Sequence, residues 1–346
     1  MTIEKLNNQH IEDAAKIVAL NYRQELGFVP SLPNRDYYNY FYTSINEMTD
    51  RQLGVAAIQD RKLVGFLSGA PINAYKGLNR GILCDIYAHG ATGDKKDVYQ
   101  RLYEHISEIW VRNGCLTHAI SIFAHEKETV DTWFHLGFGN RCIDAMRALT
   151  DITGTKNSQY QIRIAAENDA ERLLAIERED RQYFSHAPLF MPVIDVPTID
   201  DVREGLTSKN HFTWIALDNE RPVAKMNIRK GGEYPFIADD EKTINVCGAY
   251  ALPEVRGTGV STNLLNEIIR WAKSKGYERL GVDYESFNRL GSRFWEKNFT
   301  PFAYCMFRKI DERILWANAD RNNGIVIKPF APSASSVRCS SSPCPL

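Results

Sequence analysis

Residues 245–276 read NVCGAYALPEVRGTGVSTNLLNEIIRWAKSKG, and this stretch indicates the fold class of the chain. Its beginning, 245–251, alternates small, polar and apolar side chains with aromatic enrichment, which is typical of a strand. Its end, 261–276, repeats apolar residues at helical spacing. The turn between them contains Gly257 and Gly259. A strand, a glycine-rich turn and a helix amino terminus in succession favour an α/β fold and an anion-binding site.

The turn has the chemistry of a phosphate site without being one of the two best-known phosphate loops. Gly257 and Gly259 let a diphosphate approach the backbone closely, and Arg256 adds a charged donor. The turn lacks the third glycine and downstream acid of a dinucleotide fingerprint, and no Gly-Lys-Ser/Thr is present. Taken alone, it is equally consistent with a simple helix start.

Residues 244–299 resemble the acetyl-CoA-binding core of the GNAT N-acetyltransferase superfamily. The family's pyrophosphate pattern is Gln/Arg-x-x-Gly-x-Gly/Ala, and its next motif is an Asn followed by a helix ending in Phe-Tyr-x-x-x-Gly-Phe. The matching residues are Arg256, Gly259 and Ser261 for the first motif and Asn288, Phe294 and Phe299 for the second. The resemblance, which extends over about 158–310, implies transfer of an acetyl or short acyl group from acetyl-CoA to a primary amine.

The resemblance also implies which residues bind acetyl-CoA. The backbone of 249–251 would bond the pantetheine arm, amides of 257–262 would hold the pyrophosphate, and Asn288 would contact the pantetheine. The complete implied set is Ala249, Tyr250, Ala251, Arg256, Gly257, Thr258, Gly259, Val260, Ser261, Thr262, Asn288 and Trp295.

The catalytic groups depart from the family pattern. The tyrosine that commonly serves as general acid falls at Trp295, whose indole cannot donate a proton for that purpose, so Tyr304 is a substitute candidate. On the preceding strand, the positions that are commonly acidic in the family are occupied in this chain by Cys247 and Gly248. Asp283 stands where several family members place a glutamate base, and we expect it to be either the base or a solvated acid at a strand end.

The first half of the chain repeats the second. ILCDIYAHG at 82–90 aligns with NVCGAYALP at 245–253, and the chain divides near 151–158. We therefore expect an α/β fold (a mixed α+β sheet) built as two tandem GNAT-like modules, each a mostly antiparallel sheet flanked by helices. Their expected ranges are 1–150 and 158–312, followed by an extension, 313–346, that is disordered from about residue 330.

The first module has lost the phosphate pattern. Its corresponding loop, 91–97, contains Asp94 and Asp97, whose charges would repel a diphosphate, and Lys127 takes the place of Asn288. We expect this module not to bind CoA and to serve as a scaffold, either covering the acceptor cleft of the second module or only packing against it.

Composition excludes several classes of function. The chain has 346 residues, 44% hydrophobic and 25% charged, with a formal net charge of −1. Near-zero charge provides no overall field for a nucleic acid or an anionic membrane. The amino terminus lacks the apolar segment of a signal peptide, and no apolar run approaches the about 18 residues of a membrane span. We expect a cytoplasmic protein with no nucleic-acid or membrane partner.

Seven cysteines occur without a CxxC pair, and the eight histidines lie at no zinc-ligand spacing. This pattern argues against a disulfide framework and a metal site. The expected partner is a small-molecule amine, and Glu179, Tyr183 and His186 are candidates to contact it. A homodimer stays open. The alternative function is a non-catalytic acyl-CoA-binding sensor or interaction module.

Overall fold

The computed structural model describes residues 1–49, 53–152, 159–230 and 240–314. The described chain forms two compact units. Unit 1 comprises Met1–Pro30, Asn34–Asp144 and the chain from Pro301 as far as it is described. Unit 2 comprises Ser31–Pro33 and Ala145–Thr300. The segment predicted to be disordered from about residue 330 lies outside the described residues.

Unit 1 contains helices and short strands in mixed order. Its helices are α1 (Ile11–Phe28), α2 (Tyr38–Thr49), α3 (Lys95–Arg112) and α4 (Lys127–His135). Its strands are β1 (Thr2–Lys5), β2 (Gly54–Gln59), β3 (Lys62–Ser68), β4 (Ala70–Ile72), β5 (Arg80–Cys84), β6 (His89–Ala91) and β7 (Cys115–Phe123). A further strand, β8 (Gly139–Ala148), begins in unit 1 and ends in unit 2.

The strands of unit 1 form two groups. Antiparallel pairing joins β1, β2, β3 and β6 in that order. In the other group β4 pairs antiparallel with β5, and β5 pairs parallel with β7. The apolar core between strands and helices contains large aromatic side chains, including Tyr99, Trp110 and Trp133, each at most 1% exposed. Burial of such rings, together with the aliphatic side chains packed on them, stabilises this unit.

Unit 2 contains the glycine-rich turn. Its elements are β9 (Gln161–Ile164), α5 (Ala170–Ser185), α6 (Ile199–Thr207), β10 (His211–Asp218), β11 (Arg221–Arg229), β12 (Thr243–Ala251), α7 (Val260–Ser274), β13 (Arg279–Glu285) and α8 (Arg289–Asn298). The strand order is β13-β12-β11-β10-β9, with β12 and β13 parallel and the other neighbours antiparallel. The mixed α/β class predicted from the sequence is confirmed.

The helices of unit 2 cover both faces of its sheet. The ring of Trp214 on β10 lies 6.0 Å from the ring of Trp271 on α7, whereas Lys225 on β11 contacts Glu177 on α5. Trp214 pairs with Met226, the residue after Lys225. Because successive strand residues point to opposite faces, α7 and α5 lie on opposite faces of the sheet.

The last strand, β14 (Thr300–Lys309), lies almost entirely in unit 1, where it pairs antiparallel with β7 from Ala303↔Phe123 to Lys309↔Thr117. The compact units are therefore not sequential segments, unlike the ranges 1–150 and 158–312 that the sequence suggests. Strand pairing between residues so distant along the chain leaves no local sequence signal. The tandem-module interpretation itself stays a prediction.

Met306 of β14 is 3% exposed in the core of unit 1 and pairs with Ile120 of β7. Met306→Ala should lower the free energy of unfolding by about 2–5 kcal/mol, because it removes buried apolar volume. Hydrogen exchange should become faster in β7. Lys309→Ala, at an exposed position of the same strand, should change neither measurement. Faster exchange confined to β10 and β11 would contradict the assignment of β14 to unit 1.

Candidate active site

Two parallel strands of unit 2, β12 and β13, separate part-way along their length. The ladder between β12 and β13 runs from Thr243↔Arg279 to Val246↔Val282. Beyond Val246, β12 continues to Ala251, and within the described chain it has a ladder partner on the β11 side only. The other edge of Cys247–Ala251 therefore presents backbone groups to the opening. An extended ligand can bond to such an edge as an added strand does.

The glycine-rich turn follows directly. Gly257 and Gly259 have φ values of 81° and 91°, in the left-handed region that favours glycine. A Cβ atom added at either position would have no neighbour within 4 Å, so the space before the backbone is open. Gly259 is the N-cap of α7 and provides no side-chain cap, which leaves the amides of Val260–Thr262 facing outward. This helix start can bind an anion.

The corresponding helix start in unit 1 differs. Gly93 there also has a left-handed φ, 69°, but the next residue, Asp94, caps α3 by accepting a hydrogen bond from the amide of Asp97 at 3.0 Å. A carboxylate thus lies where a diphosphate would need free amides. This geometry supports the expectation that unit 1 does not bind CoA.

Arg256 folds back from the turn onto the end of β12. Its Nε donates to the carbonyl oxygen of Ala251 at 2.9 Å. The guanidinium carbon lies 5.3 Å from the ring centre of Tyr183 and 5.4 Å from that of Tyr250. Cation–π contacts of this kind orient the charge near the opening.

Asn288, the second motif residue, is the N-cap of α8. Its Oδ1 accepts from the amide of Gly291 at 3.2 Å and from the hydroxyl of Tyr183 at 2.8 Å. Burial raises the pKa of Tyr183 although Arg256 opposes that effect, so the phenol remains a donor at neutral pH. Tyr183 therefore contacts the motif residues Arg256 and Asn288. By contrast, the other two predicted acceptor contacts, Glu179 and His186, are exposed.

The two aromatic candidates lie elsewhere. Trp295 is 7% exposed and its ring packs against Phe294 and Phe299. Tyr304 lies in unit 1, where it pairs with Ile122 and packs against the apolar core. The role of Tyr304 as a proton donor therefore stays a prediction.

Asp283 is the first residue of β13 beyond the ladder with β12. Its charge lies close enough to Cys247, across the opening, to raise the pKa of that thiol. Burial raises the pKa of Cys247 to about 12, with Arg229 and Lys225 lowering it and Asp283 raising it. The thiol therefore stays protonated at neutral pH, and a carboxylate lies beside the point where the strands separate.

A cavity of about 730 Å³ lies on the α5 side of the sheet in unit 2. Its polar lining includes Glu177, Thr213, Asn227 and Arg229, whereas much of the rest is apolar. A volume of this size is typical of small-molecule sites. Only loops and first helices, which carry no recognisable motif, form the apolar part, so the sequence did not reveal this cavity.

Buried charges form one side of the cavity. Lys225, 1% exposed, donates to Glu177 at 2.5 Å and lies 2.9 Å from Asp180. Burial lowers the pKa of Lys225, but the attractions of Asp180 and Glu177 outweigh it and raise the pKa overall. Sequence reasoning missed this triad. The available signal was a lysine inside the apolar strand RPVAKMNIR, which requires acidic partners when buried.

Unit 1 has a smaller cavity, about 180 Å³, near its degenerate motif. There His125 donates from Nδ1 to the buried carboxylate of Glu25 at 2.7 Å and stacks on Phe28. Burial raises the pKa of Glu25, and His125 opposes that effect. His125 is therefore satisfied by a structural partner.

Comparison with known proteins agrees with this geometry. Residues 170–300 match the family model described as the Acetyltransferase (GNAT) family. Unit 2 contains a GNAT acetyltransferase domain. This confirms the family predicted from the motifs, and the domain is of the N-acetyltransferase type. The matched range lies within unit 2.

The chain is similar at low identity to several solved structures, and the first of the three below shares its fold. A GCN5-related N-acetyltransferase from Sphaerobacter thermophilus is 10% identical with a TM-score of 0.53, covering 89% of this chain and 95% of that chain. One from Kribbella flavida is 13% identical with a TM-score of 0.40, covering 92% and 72%. An aminoglycoside acetyltransferase from an uncultured soil metagenomic sample is 16% identical with a TM-score of 0.34, covering 40% and 86%. No curated protein matches the sequence.

Within the described ranges, no helix is long and apolar enough to cross a membrane. Across the same residues, no three His, Cys, Asp or Glu side chains are grouped so that they could hold a metal ion.

Lys225→Met should strongly destabilise unit 2, by about 3–5 kcal/mol, because it leaves Glu177 and Asp180 without their buried counter-ion. Burial already raises the pKa of Asp180, and removing Lys225 raises it further. Protonation relieves the repulsion, so the loss should be smaller at pH 4 than at pH 7. Urea unfolding of wild type and variant at both pH values measures the loss in free energy of unfolding.

The matched control is Arg172→Met on α5, the helix that carries Glu177 and Asp180, because the partner of Arg172, Glu220, is exposed. This variant should unfold at the wild-type midpoint at both pH values. An equal loss for Lys225→Met at pH 4 and pH 7 would show that the carboxylates do not repel each other.

Proposed function

We propose that unit 2 transfers an acetyl or short acyl group from acetyl-CoA to the primary amine of a small molecule. The observation that carries the proposal is the uncapped start of α7, directly after a strand that has separated from its parallel neighbour. The uncapped helix start suits a diphosphate, and the open strand edge suits an extended arm that contains amides. Acetyl-CoA has both groups. Unit 1, with α3 capped by Asp94, serves as a non-binding module.

The described residues fit acetyl-CoA. The amides from Gly257 to Thr262 would hold the pyrophosphate, and the open edge of β12 at Ala249–Ala251 would bond the pantetheine arm. Asn288 would hydrogen-bond to the same arm, and this bond would replace its hydrogen bond with the hydroxyl of Tyr183. When bound, acetyl-CoA supplies an activated thioester carbonyl. An amide of β12 can polarise that carbonyl because it points into the opening.

The remaining chemistry is proton transfer. The amine must be neutral to attack, and its proton needs an acceptor. Asp283 is a carboxylate at the edge of the opening, which makes it our candidate for that acceptor. A thiol leaving group has a pKa of about 8.5 and departs without strong acid assistance. The buried, non-acidic Trp295 is therefore compatible with turnover.

Direct transfer to the amine is favoured over an acyl-enzyme. Cys247 is the nucleophilic side chain at the opening, but its pKa of about 12 keeps it a thiol at neutral pH. Thiols react as thiolates. Cys247 is therefore unsuited to accept the acyl group, and the amine attacks the thioester itself.

The alternative is an acyl-CoA-binding module without turnover. The observation that favours it is Trp295, which packs against Phe294 and Phe299. The family that the sequence resembles commonly has a tyrosine at this position as the general acid. Binding of acetyl-CoA without release of free thiol, across a panel of amines, would support this alternative. Thiol release that requires one amine would exclude it.

Gly259→Glu should abolish acetyl-CoA binding, because it places a carboxylate at the proposed pyrophosphate site. Thermal unfolding with acetyl-CoA at about 100 times its Kd should show about 2.7 kcal/mol of stabilisation in the wild type and none in the variant. Gly93→Glu in unit 1 is a matched control, since both glycines have left-handed φ and open space. If Gly93→Glu abolishes the shift and Gly259→Glu does not, CoA binds unit 1 instead.

Asp283→Asn should reduce kcat by about 10²–10⁴-fold, the usual contribution of a general base. The acetyl-CoA thermal shift should remain, because Asp283 is not one of the residues proposed to hold the pyrophosphate, 257–262. In wild type, kcat/KM for the amine should rise with pH as the amine loses its proton. A variant with wild-type kcat would show that Asp283 is only a solvated acid.

A further inference from the structure

One cavity residue of unit 2 connects the cavity to the opening between the strands. Asn227 of β11 lines the 730 Å³ cavity and pairs with Gly248 of β12, two residues beyond the last ladder pair at Val246. A Cβ added to Gly248 would lie 3.4 Å from the Nδ2 of Asn227. The Asn227 side chain therefore contacts the strand where the thioester is proposed to lie.

The side-chain oxygen of Asn227 lacks a donor. Oδ1 is buried, and among the described residues no hydrogen-bond donor reaches it. Leaving a buried carbonyl oxygen unpaired is costly, so such an atom at a cavity wall indicates a ligand that supplies the donor. A primary amine supplies an N–H group there. Its lone pair can then be directed along β12 toward the opening.

The cavity also restricts the rest of the ligand. Phe184, Met191, Val193 and Leu206 line it with apolar surface. Ile194, also on the lining, is 82% exposed, and Phe190, next to Met191 in sequence, is 73% exposed. Large exposed apolar side chains beside a cavity are typical of a binding surface. An acceptor with an apolar body gains burial energy there, whereas a polyhydroxylated body does not. Acids and bases both lie on the lining (Asp195, Asp201 and Glu204; Arg181, Arg229 and Lys230), so a polycationic body gains little net attraction.

We propose that Asn227 orients the acceptor's nitrogen and that the acceptor is a primary amine on an apolar alkyl or arylalkyl body. This inference rests on the proposed function. In the reaction the amine nitrogen bonds to the acyl carbon, the carbon–sulfur bond breaks and the thiolate takes a proton. The proton lost by the nitrogen goes to a base, and Asn227 only accepts a hydrogen bond.

The first experiment compares acceptors. Wild-type protein with acetyl-CoA is assayed for thiol release with 2-phenylethylamine, n-hexylamine, glucosamine and spermidine. We expect kcat/KM for the two apolar amines to exceed the values for the other two by at least about tenfold. A preference for glucosamine or spermidine, or no thiol release with any of the four, would overturn the acceptor class.

The second experiment changes Asn227. Asn227→Leu keeps the approximate volume but removes the acceptor oxygen, so kcat/KM for the preferred amine should fall about 10- to 100-fold. Asn227→Asp keeps an oxygen at that position and should retain more activity than the leucine variant. Asn46→Leu is the matched control because Asn46 is exposed on α2 and is not among the residues that line the cavity. It should change kcat/KM less than twofold.

The acetyl-CoA thermal shift separates failure of this inference from failure of the proposed function. All three variants should keep the wild-type shift, which also shows that they fold. Unchanged kcat/KM in Asn227→Leu, with a normal shift and active wild type, would overturn the role of Asn227 alone. Absence of any shift in the wild type would overturn the proposed function and this inference with it.

Discussion

The limited length of one parallel ladder creates the site in unit 2. β12 and β13 pair only as far as Val246 and Val282. Had the pairing continued, the backbone of Ala249–Ala251 would be satisfied by β13 and no edge would remain for a ligand. Because every buried backbone group requires a partner, an opened strand edge is stable only where a ligand or solvent reaches it. Asp283 lies at this opening, and Arg256 bonds to the end of the opened strand at Ala251.

Helix capping explains the difference between the units. Both have a parallel strand pair, a glycine with left-handed φ and a long helix that follows it. Gly259 provides no side-chain cap for α7, whereas the carboxylate of Asp94 accepts from the amide of Asp97 in the first turn of α3. On the proposed function, this one capping side chain separates a helix start that binds an anion from one that does not.

Charge burial organises the opposite face of the unit 2 sheet. Lys225 connects β11 to α5 through Glu177 and Asp180, and Glu177 reaches the cavity. Beside this triad, Asn227 presents a buried oxygen to the same cavity. The polar side of the cavity, with Glu177 and Asn227, and its apolar lining suit a ligand that has one polar end. If the proposed acceptor binds here, the packing of α5 contributes to its recognition.

The sequence by itself determined the mixed α/β class, the GNAT family and the glycine-rich turn at Gly257 and Gly259. These properties are local: strand alternation, helix periodicity and a motif of fixed spacing lie within a few tens of residues. The sequence pattern also located Asn288, whose cap position follows from the helix it begins. It placed Tyr304 among the catalytic candidates because the aromatic strand of that residue follows the motif.

Only the tertiary structure decided that β14 lies in unit 1, that Lys225 pairs with Glu177 and Asp180, and that Asn227 faces a cavity beside Gly248. It also directed Arg256 onto Tyr183 and Tyr250. Each of these depends on strand register and on side chains from distant segments meeting across a face. Register is set by the packing of the whole sheet, so residues far apart in sequence carry no local signal of their contact.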